Sequence, residues 1–377
     1  MRLHGIEYVS YPGSLEYIKE LKYKKYFIVT GKSSMFKNGT IPRLEKILEE
    51  NNCQYSVFSS IGANPTASEV VAGVNKMKAF KPDAVIGLGG GSAIDASKVM
   101  ILLYEHPELN FEIIRKSLDI NISRDIGLIA IPSTSGTGSE MTKTSVITYG
   151  EENIKIGLKT YNFIPDYAIL DGELTLSMPK EVVAQTGMDA MTHAVECYTN
   201  KNLDDFSEVL CRGAIEGLFE YLPISYEKGD ITSRQKVHNY QSMAAMAFHN
   251  IGLGMDHGIS HSIGGMFDYG HGLINAIGLP YVLSYNSRDS LVKERLDKLA
   301  KAIGQDNFIE SIKNLNDRLN IPKSFKEMGI SEEAFLSRYD VVLDNALLGS
   351  TRANPVKMTK EEMDKVLKSI YYGKILF

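Results

Sequence analysis

Along the first half of the chain, apolar residues fall in short unbroken runs separated by turn residues and by stretches of helical period. Tyr26–Thr30 (YFIVT), Asp83–Gly87 (DAVIG) and Ile126–Ile131 (IGLIAI) are such runs, and Gln54–Phe58 is a fourth candidate. A run without polar alternation predicts a strand covered on both faces, as in a parallel sheet flanked by helices. Between the strands, Ile41–Asn51 carries a helical period, and another helix is expected after Asn64-Pro65-Thr66. The alternation predicts a Rossmann-like, doubly wound parallel sheet in an α/β domain over residues 1–180. Past that point the pattern changes. Glu181–Thr199, Asp205–Tyr221, Ser233–Asn250, Val292–Ile303 and Lys360–Tyr371 all carry the helical period, and strand-like runs become scarce. An all-helical second domain is expected over 181–377, with the boundary near Ser177-Met178-Pro179.

Composition narrows the class. The chain has 377 residues, 44% of them hydrophobic, and single cores stop growing near ~250–300 residues, so two domains are expected. A formal net charge of −5 argues against nucleic-acid or anionic-membrane partners, which need a basic surface. Cys53, Cys197 and Cys211 stand far apart with no CxxC pair, a usage that fits a reducing cytoplasm. The first residues, MRLHGIEYVSYPGS, contain no apolar signal core, and no run is long enough to span a membrane. A soluble cytoplasmic protein is expected.

The first candidate for chemistry is DAVIGLGGGSAIDASKVM. A strand is expected to end at Gly87 and a helix to start after Ser92, with Gly89-Gly90-Gly91 between them. Glycines let the backbone approach an anionic ligand, and the following helix N-terminus favours a pyrophosphate. Ser92 and Asp95 have the spacing of a helix cap and its reciprocal partner. The glycine triplet alone is equally a tight turn without a ligand, and it fits neither G-x-G-x-x-G nor a Walker A loop. A second loop, Pro132–Glu140 (PSTSGTGSE), gathers hydroxyls and glycines after the Ile126–Ile131 strand, at the end of a parallel sheet where ligands bind. Two such loops in one domain favour a nucleotide site.

The second candidate is a set of imidazoles. Of eight histidines, His257, His261 and His271 gather in one stretch. Asp189 and His193 stand at i and i+4 in GMDAMTHAVE, and His257 and His261 repeat that spacing, which places each pair on one helix face. One carboxylate with imidazoles suits a divalent transition metal, Fe(II) or Zn(II). A nicotinamide held by the α/β domain would then face a metal held by the helical domain across a cleft. The metal would polarise a carbonyl while hydride passes to or from the nicotinamide.

Together, GGGSAIDASK, PSTSGTGSEMT, GMDAMTHAVE and HGISHSIGG…HGLINAIGLPYV resemble the iron-containing (group III) alcohol dehydrogenases over roughly residues 5–375. The resemblance implies Asp189, His193, His257 and His271 as metal ligands. It places His261 beside the nicotinamide, where it either relays a proton or orients substrate. Gly90, Gly91 and Asp95, with Ser92 in the same motif, match the pyrophosphate loop. Thr134, Thr137, Thr142 and Lys155 match cofactor contacts, Asn64 a position near the adenosine ribose, and Phe248 a residue near the substrate pocket. The implied substrate is a small alcohol or aldehyde, and the oligomeric state stays open, a homo-oligomer included.

One departure bears on the cofactor. Family members that use NAD carry an acidic residue after the first strand, which bonds the ribose hydroxyls and repels a 2′-phosphate. This chain has Gly31 there, followed by Lys32, Ser33 and Ser34, so NADP(H) is expected over NAD(H). Arg352, in LGSTRANP, matches no family residue and is read as a surface ion pair rather than a substrate anchor. The alternatives are a zinc-dependent polyol (glycerol-type) dehydrogenase of the same superfamily, or a metal-dependent hydrolase whose glycine loop is only structural.

Overall fold

The computed structural model describes residues 5–116, 123–150 and 154–377; the first four residues of the expected α/β domain lie outside them. The chain forms two compact units that part between Met178 and Pro179. In the first unit the strands are β1 (Glu7–Ser10), β2 (Lys25–Gly31), β3 (Gln54–Ile61), β4 (Ala84–Gly89), β5 (Gly127–Pro132), β6 (Thr144–Tyr149), β7 (Ile154–Lys159) and β8 (Tyr167–Leu170). Its helices are α1 (Ser34–Lys37), α2 (Thr40–Glu50), α3 (Ala67–Phe80), α4 (Gly91–Glu105) and α5 (Phe111–Ile114).

Six strands form a parallel sheet in the order β1-β8-β5-β4-β2-β3. Residues of the unbroken apolar strands feed two cores in alternation. Tyr26 and Ile28 of β2 and Ala84, Ile86 and Leu88 of β4 pack on one face, while Phe27, Val29 and Val85 pack on the other. Burial on both faces explains why these strands lack polar positions. β6 and β7 form a separate antiparallel pair. The chain leaves β2 for β3 on one side and returns to β4 on the other, so the topology switches between β2 and β4. In open α/β sheets the crevice at such a switch, beyond the carboxyl ends of the strands, takes the ligand.

The second unit is helical: α6 (Lys180–Thr199), α7 (Asp205–Glu227), α8 (Ile231–Ile251), α9 (Met255–Phe267), α10 (His271–Asn286), α11 (Ser290–Ala302), α12 (Phe308–Arg318), α13 (Phe325–Met328), α14 (Glu332–Ser337), α15 (Tyr339–Ala346) and α16 (Lys360–Tyr372). Every residue of α6 from Gly187 to Thr199 is buried, so this helix lies inside the bundle rather than on it. Its side chains there must be apolar or satisfied, and Thr192 and Thr199 donate back to the carbonyls of Met188 and Val195. No helix among the described residues is long and apolar enough to cross a membrane.

Candidate functional site

In the first unit, the two glycine-rich loops come together beside the switch point. Gly89, at φ 145°, turns the chain in a conformation closed to other residues. A Cβ on Gly91 would stand 2.7 Å from Thr137 Oγ1, and one on Gly90 would meet Thr134 Oγ1 at 3.6 Å. The backbone joins the loops too, Ser133 N donating to Gly89 O at 2.8 Å. α4 begins at Gly91 with Gly90 as its cap residue, no side-chain cap and no acid in its first turn. Its first N–H groups and the positive end of its dipole are therefore left for an anion.

The structure corrects the expected cap at Ser92. Helix α4 starts earlier than expected, so Ser92 lies within its first turn and its Oγ donates to Ala63 O at 2.6 Å. That bond ties α4 to the loop carrying Asn64, whose side chain is exposed. Asp95 is spent on the protein: one oxygen accepts from Ser139 Oγ and the other from Val146 N. Thr142 is only 4% exposed, its Oγ1 within 3.5 Å of the carbonyls of Ser139 and Thr144. Thr137 and Lys155 are exposed, and Lys155 stands opposite Thr148 on the β6–β7 pair. Gly31 ends β2 beside Ile61 of β3, and Lys32 and Ser33 follow it as exposed residues.

Lys98 organises this region from inside. It is fully buried, and its Nζ donates to Ser139 O (2.8 Å), Ser139 Oγ (2.9 Å), Thr142 O (3.0 Å) and Thr144 O (2.8 Å), with Asp95 Oδ1 at 3.9 Å. Burial pushes its pKa down to about 8, against the pull of Asp95 and Glu140. An ammonium caged by three carbonyls fixes the 139–144 segment against α4. Lys98→Met should therefore leave the carbonyls of Ser139, Thr142 and Thr144 without their shared donor and the partly buried Asp95 without its nearby cation, at a cost of about 3–5 kcal/mol. Thermal unfolding should fall by about 10 °C and the KM for dinucleotide should rise, with metal content unchanged; an unaltered KM would separate Lys98 from the loop.

In the second unit, three helices bring ligand atoms to one place. Asp189 of α6, His257 of α9 and His271 of α10 each offer an atom within 4.8 Å of the others. Both His257 Nε2 and His271 Nε2 lie 3.8 Å from Asp189 Oδ1, against about 3.4 Å for two donors on one tetrahedral ion. Close helix approach makes this convergence accessible. A Cβ on Gly272 would lie 2.2 Å from Gln185 O and 3.1 Å from Asp189 Cβ, so only glycine lets α10 come this near to α6.

The three atoms also share one partner. Asn275 Nδ2 lies 2.7 Å from Asp189 Oδ1 and 3.2 Å from both His257 Nε2 and His271 Nε2. An amide has two N–H donors, so three lone pairs converge where one cation would satisfy all of them. The tautomers agree. His257 Nδ1 donates to Glu196 Oε2 at 2.7 Å, and His271 Nδ1 donates to Ser260 Oγ at 2.8 Å, whose hydroxyl donates to His271 O. Each imidazole thereby turns an unprotonated Nε2 inward. Burial, then the neighbouring His193 and His271, push the His257 pKa well down, although Asp189 opposes them. Burial alone would raise Asp189, but His193, His271, His257 and the Asn275 amide together hold it below the usual range. Two imidazoles with a carboxylate are the donor set of a divalent transition metal.

His193 stands beside this set rather than in it. Its ring stacks on His257 at 4.6 Å and on Phe248 at 4.3 Å, and its buried Nδ1 has no hydrogen-bond partner. His261 is exposed, its ring stacked on His271 at 5.0 Å. Phe248 is thus brought to the cluster through His193, and His261 through His271. Arg352 is exposed in the Gly349–Ala353 turn and makes no ion pair among the described residues, contrary to the sequence expectation.

Sequence reasoning missed Glu196, Ser260, Asn275 and Lys98. Glu196, Ser260 and Asn275 carried a usable signal, since each lies one or two helical turns from a candidate ligand on the same face. Lys98 had none, because its partners lie in a loop far along the chain.

The family pattern described as iron-containing alcohol dehydrogenase matches residues 7–172, and that of the Fe-containing alcohol dehydrogenase C-terminal domain matches 183–371. The chain is 40% identical over 372 residues to an NADPH-dependent butanol dehydrogenase of Clostridium saccharobutylicum, covering 96% of this chain and 95% of that protein. It is 34% identical over 398 residues to aldehyde-alcohol dehydrogenase 2 of Entamoeba histolytica, covering 96% of this chain but 45% of that longer protein. The fold is similar to that of an iron-containing alcohol dehydrogenase from Thermococcus thioreducens, with a TM-score of 0.93 and 33% identity over 99% of this chain and 100% of that one.

Proposed function

Since the chain belongs to the iron-containing alcohol dehydrogenases, we propose that it interconverts a small primary alcohol and its aldehyde, using one divalent metal and NADP(H) in preference to NAD(H). The observation that carries this reading is the meeting of Asp189 Oδ1, His257 Nε2 and His271 Nε2 on one amide group. These residues, with His193 as the fourth donor, would hold Fe(II), or Zn(II) in its place. When bound, the ion would supply Lewis acidity to the substrate oxygen and the dinucleotide would supply or accept hydride.

The chain's own residues do the rest. Gly90, Gly91 and the first N–H groups of α4 bind the pyrophosphate. Ser92, Asn64, Thr134 and Thr137 border that loop, Lys155 on β7 is assigned to the dinucleotide from the family motif alone, and Asp95, Thr142 and Lys98 hold the loop in shape. Phe248 presents an apolar face beside His193, suited to the carbon chain of an alcohol. His261 is exposed next to His271, where a ring nitrogen can exchange a proton between the substrate oxygen and water. The preference for NADP(H) rests on Gly31, Lys32 and Ser33, and the NADPH dependence of the butanol dehydrogenase relative supports it.

The test is reduction of an aldehyde series by the metal-loaded protein under anaerobic conditions, with His261→Ala measured in parallel. Turnover should require both metal and dinucleotide. Loss of one general acid–base group should lower kcat by about 10²–10⁴-fold while the metal stays bound. Hydrolytic activity without dinucleotide would overturn the reading, and metal loss in His261→Ala would reassign that residue as a ligand.

A further inference from the structure

Glu196 lies on the same face of α6 as Asp189 and His193, at the seventh and third positions beyond them. It is 4% exposed, a depth at which a carboxylate must be fully bonded. Its bonds all go to one place, the start of α9. Oε2 accepts from Gly254 N at 2.9 Å and from His257 Nδ1 at 2.7 Å, and Oε1 accepts from Asp256 N at 2.6 Å. Helix α9 has no side-chain cap of its own, so Glu196 serves as its cap from a neighbouring helix. The close fit requires glycine at 254, where a Cβ would lie 2.9 Å from Glu196 Oε1.

We infer that Glu196 is a positioning residue for the metal: it locks the register of α9 against α6 and fixes His257 with Nδ1 protonated and Nε2 free to ligate. A cap alone would need only the two backbone bonds. The third bond, to the outer nitrogen of a ligand imidazole, also raises the basicity of the inner nitrogen. One side chain thus joins the helix that carries Asp189 to the helix that carries His257. The assignment rests on the metal-dependent reading above.

Metal affinity, measured by chelator competition with Zn(II) or Co(II), separates the two roles. Glu196→Gln keeps an acceptor for the α9 backbone but loses the carboxylate. Glu196→Asp keeps the charge and withdraws it by one methylene. Each variant that unfolds thermally near the unsubstituted apoprotein should bind metal about 10–100-fold more weakly. Binding within threefold of the original by either folded variant would reduce Glu196 to a helix cap. Imidazole nitrogen shifts of the unsubstituted apoprotein give a readout independent of variant folding. They should show His257 as the Nδ1–H tautomer, and an Nε2–H tautomer would overturn the assignment. Failure of the unsubstituted protein to bind any divalent ion would instead count against the metal-dependent reading itself.

Discussion

Replacing His271 by alanine is expected to abolish both metal retention and aldehyde reduction. The imidazole is held by Ser260 with its Nε2 turned toward Asp189, and the neighbouring Asn275 presents its amide nitrogen, which has no lone pair to replace it. Losing Lewis-acid stabilisation removes several kcal/mol of transition-state binding, at least about a thousandfold in rate. The side chain is one-third exposed, so its truncation creates little cavity and the fold should survive. The measurement is metal content after dialysis alongside kcat/KM, with circular dichroism to confirm folding. A folded His271→Ala protein that keeps its metal and full turnover would remove this cluster from the chemistry.

The second large effect concerns the choice between the two dinucleotides. Gly31 ends β2 at the switch point, and Lys32 makes no ion pair among the described residues, so its charge is available to a 2′-phosphate. Charge-assisted hydrogen bonds are worth roughly 1.5–3 kcal/mol each, and two of them shift preference by about two to four orders of magnitude. Gly31→Asp should reverse much of that preference. The substitution is sterically mild: a Cβ at position 31 has Ile61 O as its nearest neighbour at 3.7 Å, and the residue has no positive φ. The comparison is kcat/KM for NADPH against NADH with one aldehyde, before and after substitution. NADPH should be preferred at first and should weaken far more than NADH in the variant; an original preference for NADH would be fatal to the assignment.

The parts of this fold that were legible in the sequence are those whose environment repeats along the chain. β2, β4 and β5 are covered on both faces, and an unbroken apolar run records that directly. β1 and β8 have four residues each, with Glu7 and Tyr8 of β1 exposed, so no periodicity could reveal them. The β6–β7 pair interrupts a parallel domain with antiparallel strands, which the alternation of strand and helix does not encode. The cap assigned to Ser92 failed because β4 continues to Gly89 and the helix begins in the glycines themselves. For the metal centre, the i and i+4 spacings on α6 and α9 fixed which residues share a face. They could not show that Asp189, His257 and His271 bring ligand atoms together while His193 stacks its ring on His257, since that depends on how three helices pack.

Gly272 has a consequence for how this sequence can drift over generations. It has no donor atom and would be passed over in any inventory of chemical groups. Yet any side chain there would collide with the Gln185 carbonyl and press on Asp189, moving α10 away from α6 and His271 with it. Compensation cannot come from a neighbouring rotamer, because the obstacle is backbone. The position after His271 is therefore closed to nineteen residues while the exposed flanks of the same bundle remain open to exchange. The meeting of Asp189 and His271 thus depends on the spacing of two helix axes as much as on the side chains they carry.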